Sequence, residues 1–376
     1  MHQEQRKKAA EYFSSHGIER ALIASPASVK WLTGFAAPIE VGPNPFQGGP
    51  PIVWYEAGIF TLVVVEGLAA AAAAFAALPG CRIVTYEGYT IQAPITGHLH
   101  LAAALGALVG AHRENPAVEM RDVPYYLGAL LTGSADLVAI DGWAEPLRAI
   151  KTEEELQKLR ETFRLTDVGH AAARGAVQAG ATEMDVYLAA HAAIHRAAGE
   201  RVPIGNDFVV GSRENNIGGW PLYHKIKPGD SVIVDISTIR YGYWSDSCAT
   251  YYAGEASAKQ KAMHDLVSRA LDTGIAMLRP GVLARDVDRA MRHVITDAGY
   301  PDFPHHGGHG VGVTGHEAPR IVPYNEEVLE EGMVVMLEPG IYFPGETSVR
   351  LEEGLLITHE GVEQLTKHET KFVKSR

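Results

Sequence analysis

Residues 305–319 read HHGGHGVGVTGHEAP, and the setting of His309 in that stretch decides how the rest of the chain is read. Glycines on both sides of a histidine let the backbone pass close to a ligand, or let it take positive φ. An isolated His-Gly pair is more often a solvated side chain on a flexible loop. Here His305 stands four positions before His309 and His316 seven positions after it, so these three imidazoles lie near one glycine-rich stretch. Outward from this segment, acids recur in apolar surroundings. Asp235 and Asp246 lie in VDISTIRYGYWSD at 234–246, Glu338 in MLEPGIYF at 336–343, and Glu352 in VRLEEG at 349–354. Four carboxylates and one imidazole form a hard, oxygen-rich donor set. That chemistry suits two divalent ions sharing bridging carboxylates, with a hydroxide held between them. The set points to metal-assisted hydrolysis.

Each acid has a plainer alternative. Asp235 ends the apolar run SVIVD and reads by itself as a turn aspartate. Asp246 follows eleven positions later, after Tyr241-Gly242-Tyr243, so a strand, a turn and a returning strand bring the two together. Carboxylates that close repel unless a cation or a proton lies between them. Glu338 follows MVVML, where a charge is costly to bury unless it is paired or bound to metal. Arg350 and Glu352 share a face if residues 348–358 form one strand, and their plain reading is a surface ion pair.

The chain of 376 residues is long enough for two domains or one large one, and 46% hydrophobic residues supply ample core. Its net charge of -12 lacks the basic footprint of a nucleic-acid binder and gives no attraction to an anionic membrane. Cys81 and Cys248, the two cysteines, build neither a disulfide framework nor a cysteine zinc site. The opening MHQEQRKKAAEYF has no apolar segment or cleavage signal, and the aliphatic run at 60–65 is too short to span a bilayer. A soluble cytoplasmic protein is the expectation.

Strands and helices alternate up to about residue 145: a helix at 5–17, strands at 21–25, 59–65 and 82–86, a Gly- and Pro-rich loop at 42–51, and helices around the alanine run 69–74 and at 98–109. This predicts an α/β domain at 1–147. A domain at 148–376 begins with a helix over 152–180, capped by Thr152 and ended by Gly180, and a second helix runs from Thr182 to about Gly199. Helices at 257–278 and 284–298 and short strands at 207–210, 231–235, 334–338 and 348–358 make this half α+β with a largely antiparallel sheet.

Taken together, these segments resemble the pita-bread metallopeptidases, in the creatinase, aminopeptidase P and prolidase branch. The pattern is Asp235, Asp246, Gly308-His309-Gly310-Val311-Gly312, His316-Glu317-Ala318-Pro319, Glu338-Pro339-Gly340 and Arg350-Leu351-Glu352. Leu32-Thr33-Gly34-Phe35 and Arg148-Ala149-Ile150-Lys151 extend the likeness upstream. The resemblance implies a creatinase-like N-terminal domain, a pita-bread catalytic domain and a homodimer in which the N-terminal domain helps to shape the partner's pocket. It implies two divalent ions, Mn ahead of Co or Zn. Asp235 would chelate one ion, Asp246 and Glu352 would bridge both, and His309 and Glu338 would complete the second. A bridging hydroxide would attack an amide carbonyl of a short peptide, with Glu338 as general base and proton carrier. His316 would steady the oxyanion, His305 would line the substrate pocket, and Tyr342 and Arg350 would orient ligands and substrate.

Three departures bear on the substrate. Members acting on Xaa-Pro bonds carry a histidine about seventeen residues before the first Asp, where this chain has Gly218. His224 is near but in another register, and is not expected to replace it. Ser247-Cys248-Ala249-Thr250 lacks the usual arginine after the second Asp, with Cys248 read as a small buried residue, and Trp220 and Trp244 add bulk near the expected pocket. The leading expectation is an Xaa-Pro aminopeptidase or dipeptidase. The alternatives are a creatinase-like C–N hydrolase or lyase acting on a small non-peptide metabolite, and a non-catalytic binding module, which retention of all five ligands disfavours.

Overall fold

The computed structural model describes residues 2–36, 48–92, 95–110, 116–131 and 137–372, so most of the loop expected at 42–51 lies outside the described residues. The chain forms two compact units, Met1–Arg148 and Ala149–Arg376. In the first, α1 (Gln3–Ser15) leads to β1 (Arg20–Ile23) and α2 (Pro26–Thr33). Pro26 opens α2, where its missing donor is not needed, and Gly34 closes it at φ 70°. Strands β2 (Ile52–Glu56), β3 (Ile59–Val65) and β4 (Cys81–Tyr86), with the short β5 (Ala117–Val118) and β6 (Val138–Ala139), build one sheet of order β4-β3-β2-β1-β5-β6. The alanine run forms α3 (Ala69–Ala76), the crossover between the parallel strands β3 and β4. Helices α4 (Gly97–Val109), α5 (Tyr125–Leu131) and α6 (Glu145–Ala149) follow, and Leu101, Leu105 and Leu127 bury their side chains with Leu22, Trp54 and Val63 of the sheet.

The second unit starts with α7 (Glu153–Ala176) and α8 (Glu183–Ala198), each opened by a capping box, Thr152 with Glu155 and Thr182 with Asp185. Helix α7 ends at Ala176 rather than running to Gly180. Val177 is already extended, and Gly180, at φ 94°, sits in the turn that leads into α8. Both helices cover an antiparallel sheet of β7 (Ile204–Val210), β8 (Ser231–Arg240), β9 (Tyr243–Ser245) and β10 (Cys248–Tyr252), in the order β10-β8-β7 with β9 also on β8. Tyr241 and Gly242 join β8 to β9 with φ of 53° and 79°. Two central residues at positive φ match the right-handed twist of the flanking strands, so the chain reverses tightly.

Helices α9 (Ala258–Met277) and α10 (Ala284–Thr296) cover the second sheet of this unit. That sheet has the order β12-β11-β13-β16-β17, from β11 (Gly308–Gly310), β12 (Glu317–Ile321), β13 (Val334–Leu337), β16 (Glu353–Thr358) and β17 (Gly361–Gln364). Between them, β14 (Gly340–Phe343) and β15 (Thr347–Arg350) form a separate hairpin. The single strand expected over 348–358 is therefore two strands in different sheets, broken at Leu351-Glu352, where Glu352 bridges across to Cys248 of β10. Among the described residues, no helix is long and apolar enough to cross a membrane.

Strand β11, paired with β12 on one side and β13 on the other, is closely packed by backbone on both sides. A Cβ on Gly308 would lie 1.9 Å from Met336 O, and one on Gly310 2.1 Å from Ala318 O. Neither glycine has positive φ, so close approach and not torsion requires them. Gly308→Ala is expected to destabilise the protein by about 3 kcal/mol or to prevent folding, because backbone cannot yield as a side chain does. Gly175→Ala, on the exposed side of α7 with nothing within 4 Å of the new Cβ, is expected to stabilise by up to about 1 kcal/mol. Urea unfolding of the two variants checks both signs.

Candidate metal centre

The five acid and imidazole side chains converge in the second unit from both of its larger sheets and from the segments that join them. Asp235 lies in the middle of β8, with Cys248 of β10 and Asp207 of β7 as cross-strand partners. The tight β8–β9 hairpin returns the chain so that Ser237 Oγ donates to Asp246 Oδ1 at 2.9 Å. His309 is the middle residue of β11. Glu338 follows β13, with its N–H donating to Gly307 O at 2.9 Å, and the Glu352 N–H donates to Cys248 O at 2.8 Å.

His309 Nδ1 lies 3.0 Å from Gly310 O, a contact that places the imidazole proton on Nδ1. The Nε2 lone pair then faces acid, 3.6 Å from Glu338 Oε1, 3.7 Å from Glu352 Oε1 and 3.9 Å from Asp246 Oδ2. One ligand atom each from Asp246, His309 and Glu352 lies within 4.8 Å of the others. Glu338 Oε1 and Glu352 Oε1 are buried with no hydrogen-bond donor among the described residues. His306 Nε2 comes within 2.8 Å of Glu338 Oε1, near enough for an ion pair but out of line for a hydrogen bond.

The electrostatics are those of acids forced together away from water. Burial, with the Asp235 charge next, pushes Asp246 well above the usual carboxylate range. Burial raises Glu352 in the same direction, helped by Asp246 and Glu338. Asp235 rises to about 6 through burial, moderated by the Arg350 guanidinium and reinforced by Asp207. Glu338 goes the other way, to about 2: burial opposes ionisation, but contact with His306 and the charges of neighbouring histidines outweigh it. Burial takes His309 down to about 4, keeping its imidazole neutral. A neutral imidazole aimed at carboxylate oxygens that lack donors is a set that fits divalent cations.

The other expected site residues surround this centre. His305, His306, His309 and His316 line a cavity of about 450 Å³ together with Asp235, Asp246, Glu338, Glu352 and Arg350. His316 stacks on His309 with ring centroids 3.9 Å apart. Tyr342 is not on the wall but behind it, its hydroxyl 2.7 Å from His305 Nε2. Arg350 and Glu352 do not form a surface pair. Both are buried, and Arg350 Nη2 donates instead to Asp235 Oδ2 at 2.6 Å and to Asp207 Oδ2 at 3.0 Å. Gly218 and Trp220 line the cavity, whereas His224 and Trp244 do not. Cys248 is fully buried with its thiol pushed up by burial, as a packing residue should be.

Three residues beside the centre are not singled out in the sequence. His306 is visible only as the neighbour of His305. Ser237 and Asp207 act through cross-strand proximity, which depends on register. A fourth feature is the ion pair of Lys151 Nζ with Glu317 Oε1, at 2.6 Å with both side chains 1% exposed. It ties the start of α7 to the residue after His316.

Residues 157–359 match the model of metallopeptidase family M24, and residues 5–150 match the creatinase/prolidase N-terminal domain. The chain belongs to metallopeptidase family M24, the group its motifs resemble, and is a metal-dependent peptidase. It is 28% identical to the Xaa-Pro dipeptidase of Pyrococcus furiosus over 98% of this chain and 99% of that one. It is 32% identical to the Xaa-Pro dipeptidase of Pyrococcus horikoshii over 62% of this chain and 67% of that one. Among solved structures, an Xaa-Pro dipeptidase from Bacillus anthracis is similar with a TM-score of 0.85 at 25% identity, covering 99% of both chains. The prolidase from Pyrococcus horikoshii is similar with a TM-score of 0.84 at 26% identity, covering 98% of this chain and 100% of that one.

Lys151→Met is expected to cost about 3–5 kcal/mol, because the buried Glu317 carboxylate would lose its cationic partner at 2.6 Å. Adding Glu317→Leu should restore much of that loss. Denaturant unfolding of the two variants, single and double, tests this. Chelator-treated protein should gain thermal stability when Mn, Co or Zn is added. His309→Ala and Glu352→Ala should each reduce the metal bound per chain, as measured by elemental analysis after dialysis.

Proposed function

We propose that the protein hydrolyses short peptides at Xaa-Pro bonds, as a dipeptidase or an aminopeptidase. The observation that carries this is the convergence of Asp235, Asp246, Glu338, Glu352 and the His309 Nε2 in one cavity that also holds His305 and His316. Relatives of nearly equal length named as Xaa-Pro dipeptidases support the peptide substrate over a small non-peptide metabolite. In this reading residues 148–376 are the catalytic domain and residues 1–147 the creatinase-like domain. The protein works as a cytoplasmic homodimer.

Asp235, Asp246, His309, Glu338 and Glu352 would hold two divalent ions, with Mn the first choice and Co or Zn accepted by the same donors. Bound there, the ions supply Lewis acidity toward an amide carbonyl and lower the pKa of water. The protein's own residues do the rest. Glu338, kept ionised among histidines, accepts a proton and passes it to the leaving nitrogen. His316, exposed at the cavity wall beside His309, donates to the developing oxyanion. Arg350 fixes Asp235 by a 2.6 Å bond, and Tyr342 holds His305 against the substrate.

The deciding experiment is hydrolysis of Xaa-Pro dipeptides and tripeptides by stripped protein with and without Mn, Co or Zn. Metal-dependent cleavage is expected, and the length preference separates dipeptidase from aminopeptidase. Glu338→Gln should lower kcat by roughly 100- to 10,000-fold with little change in KM. Cleavage of no peptide, with turnover on a panel of small amides, would reject the peptide reading.

A further inference from the structure

Among the described residues, Asp207 is the one carboxylate on the cavity wall that lies outside the five candidate ligands. Its Cα is paired in register with Asp235 across β7 and β8. Like charges directly opposite each other destabilise a sheet. Arg350 offsets this by donating Nη2 to both acids, while its Nη1 donates to Ile217 O. The clamp uses Asp207 Oδ2. Among the described residues Oδ1 accepts no hydrogen bond, and the side chain remains 35% exposed.

The facing wall is shaped around this carboxylate. The Phe208 N–H donates to Gly219 O at 3.2 Å, which holds residues 217–220 alongside Asp207. Gly218 has no room for a side chain, since a Cβ there would lie 2.3 Å from Asp207 Oδ2. Trp220, 68% exposed, presents its indole on the same wall. An open carboxylate oxygen and an exposed indole lining one cavity suit a cation on an aliphatic stem, whose head pairs with the acid and whose stem or charge packs on the ring. A second cavity, of about 420 Å³, shares His305, His306, His309 and His316 with the first, and is lined beyond them by Arg292 and Arg320. Asp207 and the two guanidiniums thus line different cavities that share the histidine cluster.

We propose that Asp207, with Trp220, forms a subsite that selects peptides whose N-terminal residue carries a cationic side chain, lysine or arginine. This rests on the peptidase reading above and specifies its substrate class. Asp207 makes the charged contact. Gly218 keeps the space in which Asp207 stands, and Arg350 fixes its orientation.

The test compares kcat/KM for Lys-Pro, Arg-Pro, Leu-Pro and Met-Pro with metal-loaded wild-type protein and with Asp207→Asn. The variant keeps the shape of the side chain and loses its charge. Wild type should favour the cationic pair about tenfold over the neutral pair, chiefly through KM. That preference should shrink as salt rises from low to physiological ionic strength. In Asp207→Asn the ratio should fall to near one, whatever happens to the absolute rates, because damage to the neighbouring Asp235 would lower all four substrates together. A wild-type ratio at or below one overturns the proposal, and so does a cationic preference that survives in the variant. If the variant does not fold, the wild-type ratio and its salt dependence decide alone. Failure to cleave any of the four peptides rejects the peptidase reading itself and this subsite with it.

Discussion

Buried carboxylates repel one another, and the second unit is arranged around that repulsion. Asp235, Asp246, Glu338 and Glu352 share a cavity with Asp207, and two of their oxygens have no donor at all among the described residues. Unpaired anions in a protein interior are expensive enough that the acids take up protons or a cation instead. Burial and mutual charge accordingly push Asp235, Asp246 and Glu352 upward. A single guanidinium, Arg350, and a group of largely neutral imidazoles cannot balance the cluster. The cluster therefore favours bound positive charge, which is what a candidate metal centre requires.

Holding such a cluster open requires a frame that does not collapse or spread. Two helix pairs supply it, each burying an apolar face on its own sheet, with Phe208, Val232 and Val234 in one core and Val335, Leu337 and Leu355 in the other. The site lies where the sheets meet. Glu352 is fixed there by backbone pairing to Cys248, and the His316–Glu317 segment by the fully buried pair with Lys151. Chemistry sits at strand breaks for a related reason. Glu352 stands in the gap between β15 and β16 and Glu338 just beyond β13, so each main chain is anchored while the side chain points into the cavity.

Much of this was legible in the chain. The five ligand candidates stand out because acids and a glycine-flanked histidine are improbable in apolar runs unless something binds them. The helix starts were legible because Thr152 and Thr182 carry local capping signals. What was not legible is long-range. The end of α7 is not legible locally, because Gly180 serves a turn paired to Ile226, a partner far along the chain. The strand break at Leu351-Glu352 follows from two sheets competing for one segment, and residue alternation cannot report that. In sequence, Gly308 and Gly310 suggest ligand approach or unusual torsions. They turn out to serve the close passage of neighbouring strands.

Asp207 shows the limit most clearly, and it also accounts for the departure at Gly218. Read along the chain, Asp207 is one acid in a strand, and Gly218 is a glycine where the family resemblance leads one to expect a histidine. In space the two are one feature. The carboxylate of Asp207 occupies the volume a side chain at 218 would need, and Arg350 holds it there. A larger residue at 218 would therefore displace Asp207, and moving Asp207 frees part of the guanidinium that contacts Asp235. In the proposed subsite the Asp207 carboxylate stands on the cavity wall, and a wall that ends in an anion would select its occupant by charge.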